Sequence, residues 1–135
     1  MTLPRATGPS PHLTWYDVSC RDGTPYPMDW RETRLVWLCE EFEAIRALCG
    51  SPLLVNSGFR SRAYNTRIGG APNSQHCEGR ALDLVPVHCT TLELYLAAKE
   101  RARVGRVRGI ARYRGGFVHI DIRPSSRLVE WGIGV

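Results

Sequence analysis

The chain has 135 residues, 43% hydrophobic and 23% charged, which fits one folded domain with a real core and excludes a disordered chain. Its net charge of +5 arises from 18 basic against 13 acidic residues, and every basic residue except Lys99 is arginine. No apolar run approaches the roughly 20 residues of a membrane span. A positive surface favours an anionic partner, yet no basic stretch is interleaved with aromatics as base stacking would need, so no nucleic-acid partner is expected.

The opening MTLPRATGPSPHL lacks the apolar segment of a secretory signal, so the protein is expected to be made in the cytoplasm without one. Residues 1–13 read as an irregular Pro- and Gly-rich arm ahead of a single domain over 14–135. CRDGTPYPMDW (20–30) is dense in turn formers. A helix is predicted from about Trp30 to Cys49, because Leu35, Leu38, Phe42, Ile45 and Cys49 recur at three- and four-residue steps. Gly50 and Pro52 end it. PLLVNSGF reads as a buried strand entering a turn, and RSRAYNTRIGGAPNS as a loop with one helical turn. ALDLVPV is a strand that stops near Pro86. A second helix spans about Thr91–Arg103, with Thr90 as N-cap and Glu93 completing a capping box. RGIARY and GFVHIDI are strands joined at Arg114-Gly115-Gly116, and RLVEWGIGV adds an edge strand. This order predicts an α+β fold with helices covering one face of a mainly antiparallel sheet.

Strand alternation then places the chemistry. In FVHIDI, Val118, Ile120 and Ile122 share an apolar face, while Phe117, His119 and Asp121 share the other. In ALDLV, Asp83 points away from Leu82 and Leu84. His76, in SQHCEGRALDL, lies ahead of that strand and within reach of the same cleft. Two imidazoles and a carboxylate form a common catalytic zinc set with one position left for water, whose pKa the metal lowers toward ~7. On this reading His76, Asp83 and His119 are the metal ligands, and the small Gly79 and Ala81 let the loop wrap close to the ion. The five cysteines are odd in number and form no CxxC pair, so free buried thiols are expected. Cys77 is read as structural, His12 and His88 as exposed loop histidines, and RARVGRVR as a solvated helix end and turn.

VNSGFRSRAYNTRIGGAPNSQHCEGRALDL, RGIARYRGGFVHIDIR and a closing Trp131 together resemble the zinc D-Ala-D-Ala carboxypeptidase family of the lysostaphin/D-Ala-D-Ala/sonic hedgehog superfamily. The chain most resembles the short, phage- or prophage-encoded branch, to which the upstream CRDGTPYP also conforms. The resemblance implies a hedgehog/D-Ala-D-Ala peptidase-like fold and a Zn2+ metallopeptidase acting on peptidoglycan. Its substrates would be D-amino-acid-containing stem or cross-link peptides, with carboxypeptidase and endopeptidase action both open. By the family's motifs His76, Asp83 and His119 are zinc ligands. Arg60 grips a substrate carboxylate or peptide oxygen, a task suited to a forked, permanent charge, and Ser74 hydrogen-bonds substrate. One position departs from the pattern: several members carry an acid three residues before the last histidine as general base, and here that residue is Gly116. Asp121 is therefore expected as the catalytic base, or equally as a group that holds an imidazole's orientation; Glu78 is a weaker candidate. The alternative is a non-catalytic zinc-binding wall-recognition module of a phage particle. A monomer is expected, reaching the wall after lysis, holin release or virion delivery.

Overall fold

The computed structural model describes residues 8–132. Residues 1–7 of the expected arm and 133–135 of the expected last strand lie outside the described residues. Helix α1 (Trp15–Val18) is one turn closed by a reciprocal cap between Thr14 and Asp17, a local signal that the turn-rich neighbourhood obscures. Helix α2 runs over Arg34–Cys49 and ends at Gly50, whose φ of 62° the absent Cβ permits. It starts at Arg34 rather than Trp30. Met28–Trp30 form a separate 3-10 turn after Pro27, and the Trp30 ring packs edge-on against Tyr26 and Phe59. Strand β1 (Leu53–Ser57) is followed by helix α3 (Arg62–Arg67) within the expected loop. Strand β2 (Ala81–Pro86), helix α4 (Thr91–Arg103) with the Thr90–Glu93 capping box, and strands β3 (Gly109–Tyr113) and β4 (Phe117–Asp121) follow as expected. Strand β5 covers Val129–Gly132.

The five strands form one sheet in the order β1-β2-β4-β3-β5. All pairings are antiparallel except that of β5, which runs parallel to β3 at the edge. One face carries Leu82, Leu84, Ile110, Val118 and Ile120, which join Leu35, Leu38, Phe42 and Ile45 of α2 and Leu94 and Ala98 of α4 in a single buried cluster. Each such side chain contributes roughly 1.5–3 kcal/mol when fully buried.

The two covering helices are also joined by charge. Glu41 of α2 is fully buried and receives Arg101 (2.6 Å) and Arg106 (2.8 Å). The Trp37 indole donates to the Arg106 carbonyl at 3.0 Å. RARVGRVR is thus not simply a solvated stretch. Its first arginine and its Arg106 neutralise a carboxylate that could not stay buried unpaired.

The opposite face is covered by the segment between β1 and β2. A bulge at Asn56 lets Ser57 pair with Asp83. The chain then folds back, with Phe59 N–H donating to the Val18 carbonyl (2.9 Å) and Arg60 N–H to the His76 carbonyl (3.0 Å). This closure explains why β2 is buried on both faces.

Candidate metal centre

The register sets the site. Asp83 of β2 lies directly opposite His119 of β4, which lies opposite Ala111 of β3, which in turn faces Trp131 of β5. Residues opposed across strands share a face, so this row crosses the covered side of the sheet. His76 comes from a 3-10 turn (Gln75–Glu78) capped by the Ser74 hydroxyl, which accepts from His76 N–H at 3.1 Å. One donor atom each from His76, Asp83 and His119 falls within 4.8 Å of the others, and all three residues are buried.

Hydrogen bonding fixes which nitrogen each imidazole presents. His76 Nδ1 donates to the Gly58 carbonyl at 2.7 Å, turning Nε2 toward Asp83 Oδ1 at 3.1 Å. His119 Nε2 donates to Asp121 Oδ2 at 2.8 Å, turning Nδ1 toward the same Asp83 oxygen at 3.0 Å. Two nitrogen lone pairs and a carboxylate oxygen therefore converge. Such a meeting needs positive charge at its centre, from a cation or from added protons. Burial outweighs the pull of Asp83 and lowers the pKa of His76. At His119 burial acts the same way, but the bonds to Asp121 and Asp83 prevail and raise it. Asp83 is buried too, yet the two imidazoles hold its pKa well below the usual carboxylate range. The contacts of 3.0 and 3.1 Å come close to the spacing of about 3.3 Å between tetrahedral ligands of a zinc ion. The donor set fits the metal that the sequence implies.

Asp121 is held apart from this meeting point. It is fully buried, and both of its oxygens have partners. Oδ1 accepts from Arg123 N (3.1 Å) and Nε (2.9 Å), and Oδ2 from Arg123 Nη2 (2.7 Å) as well as from His119. Burial would raise its pKa, but Arg123 and His119 lower it to about 2. The carboxylate bears on the far edge of the His119 ring from Asp83.

Arg60 lies at the rim. Its Nε donates to Ser57 Oγ (3.0 Å), Nη1 to Asn65 Oδ1 (3.1 Å), and Nη2 reaches Asp83 Oδ2 at 3.5 Å. Glu78 is elsewhere, paired with Arg62 at 2.7 Å and Arg34 at 3.6 Å. Gly116 sits in the hairpin turn at φ 88°, a conformation natural to glycine and unfavourable for a side chain. Gly79 is also explained differently than expected. An added Cβ would meet the Trp30 ring at 2.6 Å and Tyr26 Oη at 2.8 Å, so aromatic packing and a φ of 68°, rather than closeness to an ion, require glycine there.

Above the meeting point opens a cavity of about 620 Å³, bounded by Arg60, Ser74, His76, Asp83 and His119 on one side. Facing them is an aromatic wall the sequence reading did not assemble. Tyr113 and Phe117 stack at 4.7 Å, Trp131 Nε1 donates to Tyr113 Oη at 2.9 Å, and Trp131 lies 5.1 Å from the His119 ring. Tyr113 and Phe117 are legible in hindsight as partners flanking a hairpin. Trp131 is not, because its place depends on the parallel pairing of β5. Gln75 also borders the cavity, and its Oε1 is a buried acceptor without a partner among the described residues.

Comparison with known proteins agrees with this geometry. A 45-residue stretch is 47% identical to a zinc D-Ala-D-Ala carboxypeptidase of Streptomyces albus G. That stretch is 33% of this chain and 18% of the relative, so the chain spans under a fifth of that protein's length. Residues 12–121 match the family described as Peptidase M15. The match runs from the segment ahead of α1 through the last residue of β4 and takes in every donor of the metal centre, and on it the chain belongs to the peptidase M15 family.

Proposed function

We propose that the protein is a zinc-dependent peptidase that hydrolyses D-amino-acid-containing peptides of peptidoglycan. The observation that carries this reading is the convergence of His76 Nε2, Asp83 Oδ1 and His119 Nδ1 at the floor of an open cavity, with each ring's other nitrogen fixed by an acceptor. Zn2+ held by these three would supply a Lewis acid that polarises a peptide carbonyl and acidifies water at neutral pH. Arg60 directs a forked positive charge across the cavity and orients a substrate carboxylate or peptide oxygen. Ser74, whose hydroxyl proton is not used in accepting from His76 N–H, donates to the substrate. The aromatic wall excludes water from one side and packs against the peptide.

Of the two roles foreseen for Asp121, the pairing with Arg123 supports the second. Asp121 positions His119 and keeps its Nδ1 free of a proton, as carboxylates behind metal-bound imidazoles do. A buried carboxylate with a pKa near 2 and both oxygens occupied is a poor proton acceptor.

This favours a second reading at one point. Asp83 is the only carboxylate bordering the cavity among the described residues, and Gly116 stands where the resemblance places an acid in several members of the family. A zinc-binding wall-recognition module without catalysis has the same geometry. Digestion of purified peptidoglycan separates the two. The peptidase releases free amines or peptides with zinc-loaded protein and stops with a chelator. Binding to the wall without release, in the presence of zinc, overturns the peptidase in favour of the module. Whether a terminal residue or an internal cross-link is cleaved follows from the product masses.

A further inference from the structure

Where β4 ends, Arg123 borders the metal cavity, while its neighbours Ile122 and Pro124 border a second cavity of about 470 Å³. Arg34, Arg80 and Arg108 line it, and no carboxylate does so among the described residues. Two of these guanidinium groups are also fixed by neutral acceptors. Arg34 Nη1 donates to the Glu78 carbonyl at 2.7 Å, and Arg108 Nη1 to the Ser125 carbonyl at 3.0 Å. The Glu78 carboxylate is nearest, 3.6 Å from Arg34, but its closer partner is Arg62. Arg80 is a partly buried residue whose side chain makes no hydrogen bond among the described residues; burial and then the charge of Arg34 lower its pKa, against the weaker pull of Glu78 and Asp121. The first turn of α2, which borders the cavity, contains no acidic residue and has no side-chain cap. Arg34 and Arg80 repel each other, Arg108 adds a third positive charge to the same lining, and an anion entering the cavity would relieve the excess.

The type of anion follows from the donors and from Trp37. Forked guanidinium groups match phosphate oxygens in pairs. The indole of Trp37, which also lines the cavity, has Arg106 and Arg108 at 5.3 and 5.2 Å from its ring, so it offers little free surface on which a nucleobase could stack. We propose that this cavity binds the phosphodiester of an anionic polyol- or sugar-phosphate polymer, separately from the metal centre. Assigning that polymer to the cell wall rests on the function proposed above; the recognition of phosphate does not.

The test is binding to zinc-loaded protein at matched ionic strength, by calorimetry and by the NMR signals of arginine Nε–H groups. The probes are poly(glycerol phosphate), glycerol 1-phosphate, inorganic phosphate and a single-stranded oligonucleotide. The polymer is expected to bind most tightly and to move the Arg80 and Arg108 signals. Arg80→Gln is expected to weaken it about tenfold, on the scale of one charge-assisted contact, and Arg80→Lys less. Because the Arg80 side chain makes no hydrogen bond among the described residues, neither variant should lose structure. Unchanged affinity in Arg80→Gln overturns the proposal, as does an oligonucleotide that binds equally well or binding by free phosphate alone. Affinity abolished by His119→Ala but kept by Arg80→Gln would place the phosphate at the metal and also overturn it. No arm reads hydrolysis, so a protein inert toward peptidoglycan would sink the peptidase and leave this result standing.

Discussion

An added Cβ at Gly109 would lie 2.2 Å from Asp121 Oδ2, so the carboxylate that holds His119 occupies the space a side chain on β3 would take. Gly109→Ala is therefore expected to displace Asp121 and to lower zinc affinity by about 10–100-fold, the usual cost of losing a group behind a ligand. Asp121→Asn should do the same. The double variant should be little worse than either, because both remove one interaction. Competition with a chromogenic chelator reads all three. A Gly109→Ala protein with wild-type affinity, folded by circular dichroism, would show that Asp121 does not position the ligand. The contrast with the ligands themselves shows what the sequence could and could not carry. His119 and Asp83 were legible because each alternates with apolar neighbours on its own strand, and alternation is a local property. Gly109 and the Gly58 carbonyl act through cross-strand register and through the folding-back of a loop, neither of which has a local signature.

Elements joined by charge respond to different tests. Removing the Glu41 carboxylate leaves Arg101 and Arg106 facing a buried gap between α2 and α4. Because both arginines are partly exposed, Glu41→Ala is expected to cost about 2–3 kcal/mol, below the range for a fully buried pair. Urea unfolding should show a lower midpoint at an unchanged slope. A second contact fastens the chain ahead of α1 to α2. Glu43 accepts from Ser10 Oγ (2.7 Å), His12 N (2.9 Å) and His12 Nδ1 (2.6 Å). Partial burial would raise its pKa, but the bonds from His12 and Ser10 outweigh this and lower it below 4.5. A carboxylate with a depressed folded-state pKa contributes stability above its unfolded value, and that contribution is lost as pH falls through the folded one. Residues 10–13 should thus loosen below about pH 4.5, seen as faster amide exchange at Leu13, whose N–H donates to the Ser10 carbonyl. Glu43→Gln should show the faster exchange already at neutral pH; unchanged exchange in that variant would refute the link. The periodicity of α2 was plain in the sequence, whereas Glu41 was hidden in it. An acid on an apolar stripe reads as a boundary of that stripe until the arginines some sixty positions away are seen to meet it.

At the scale of the whole molecule, the question is whether the metal makes the fold or only occupies it. In the smallest zinc domains the unfolded chain has no other core, and removing metal removes structure. Here the sheet buries Leu82, Leu84, Ile110, Val118 and Ile120 against two helices without recourse to the centre. A chain of this length buries enough surface to fold on that basis. The three donors are also held by contacts that need no ion: the Gly58 carbonyl, Asp121, and the pairing of β2 with β4. Chelation should accordingly leave the far-ultraviolet spectrum in place and lower the melting temperature. The stabilisation by free zinc should grow as RT ln(1 + [Zn]/Kd), about 2.7 kcal/mol at a hundred times Kd and roughly 1.4 kcal/mol for each further tenfold. His119→Ala should melt close to the chelated wild type and respond little to added metal. A chelated wild-type protein that lost its helical signal would mean that the apolar face cannot hold the sheet alone, and that the ion is a structural strut rather than a guest in a preformed site.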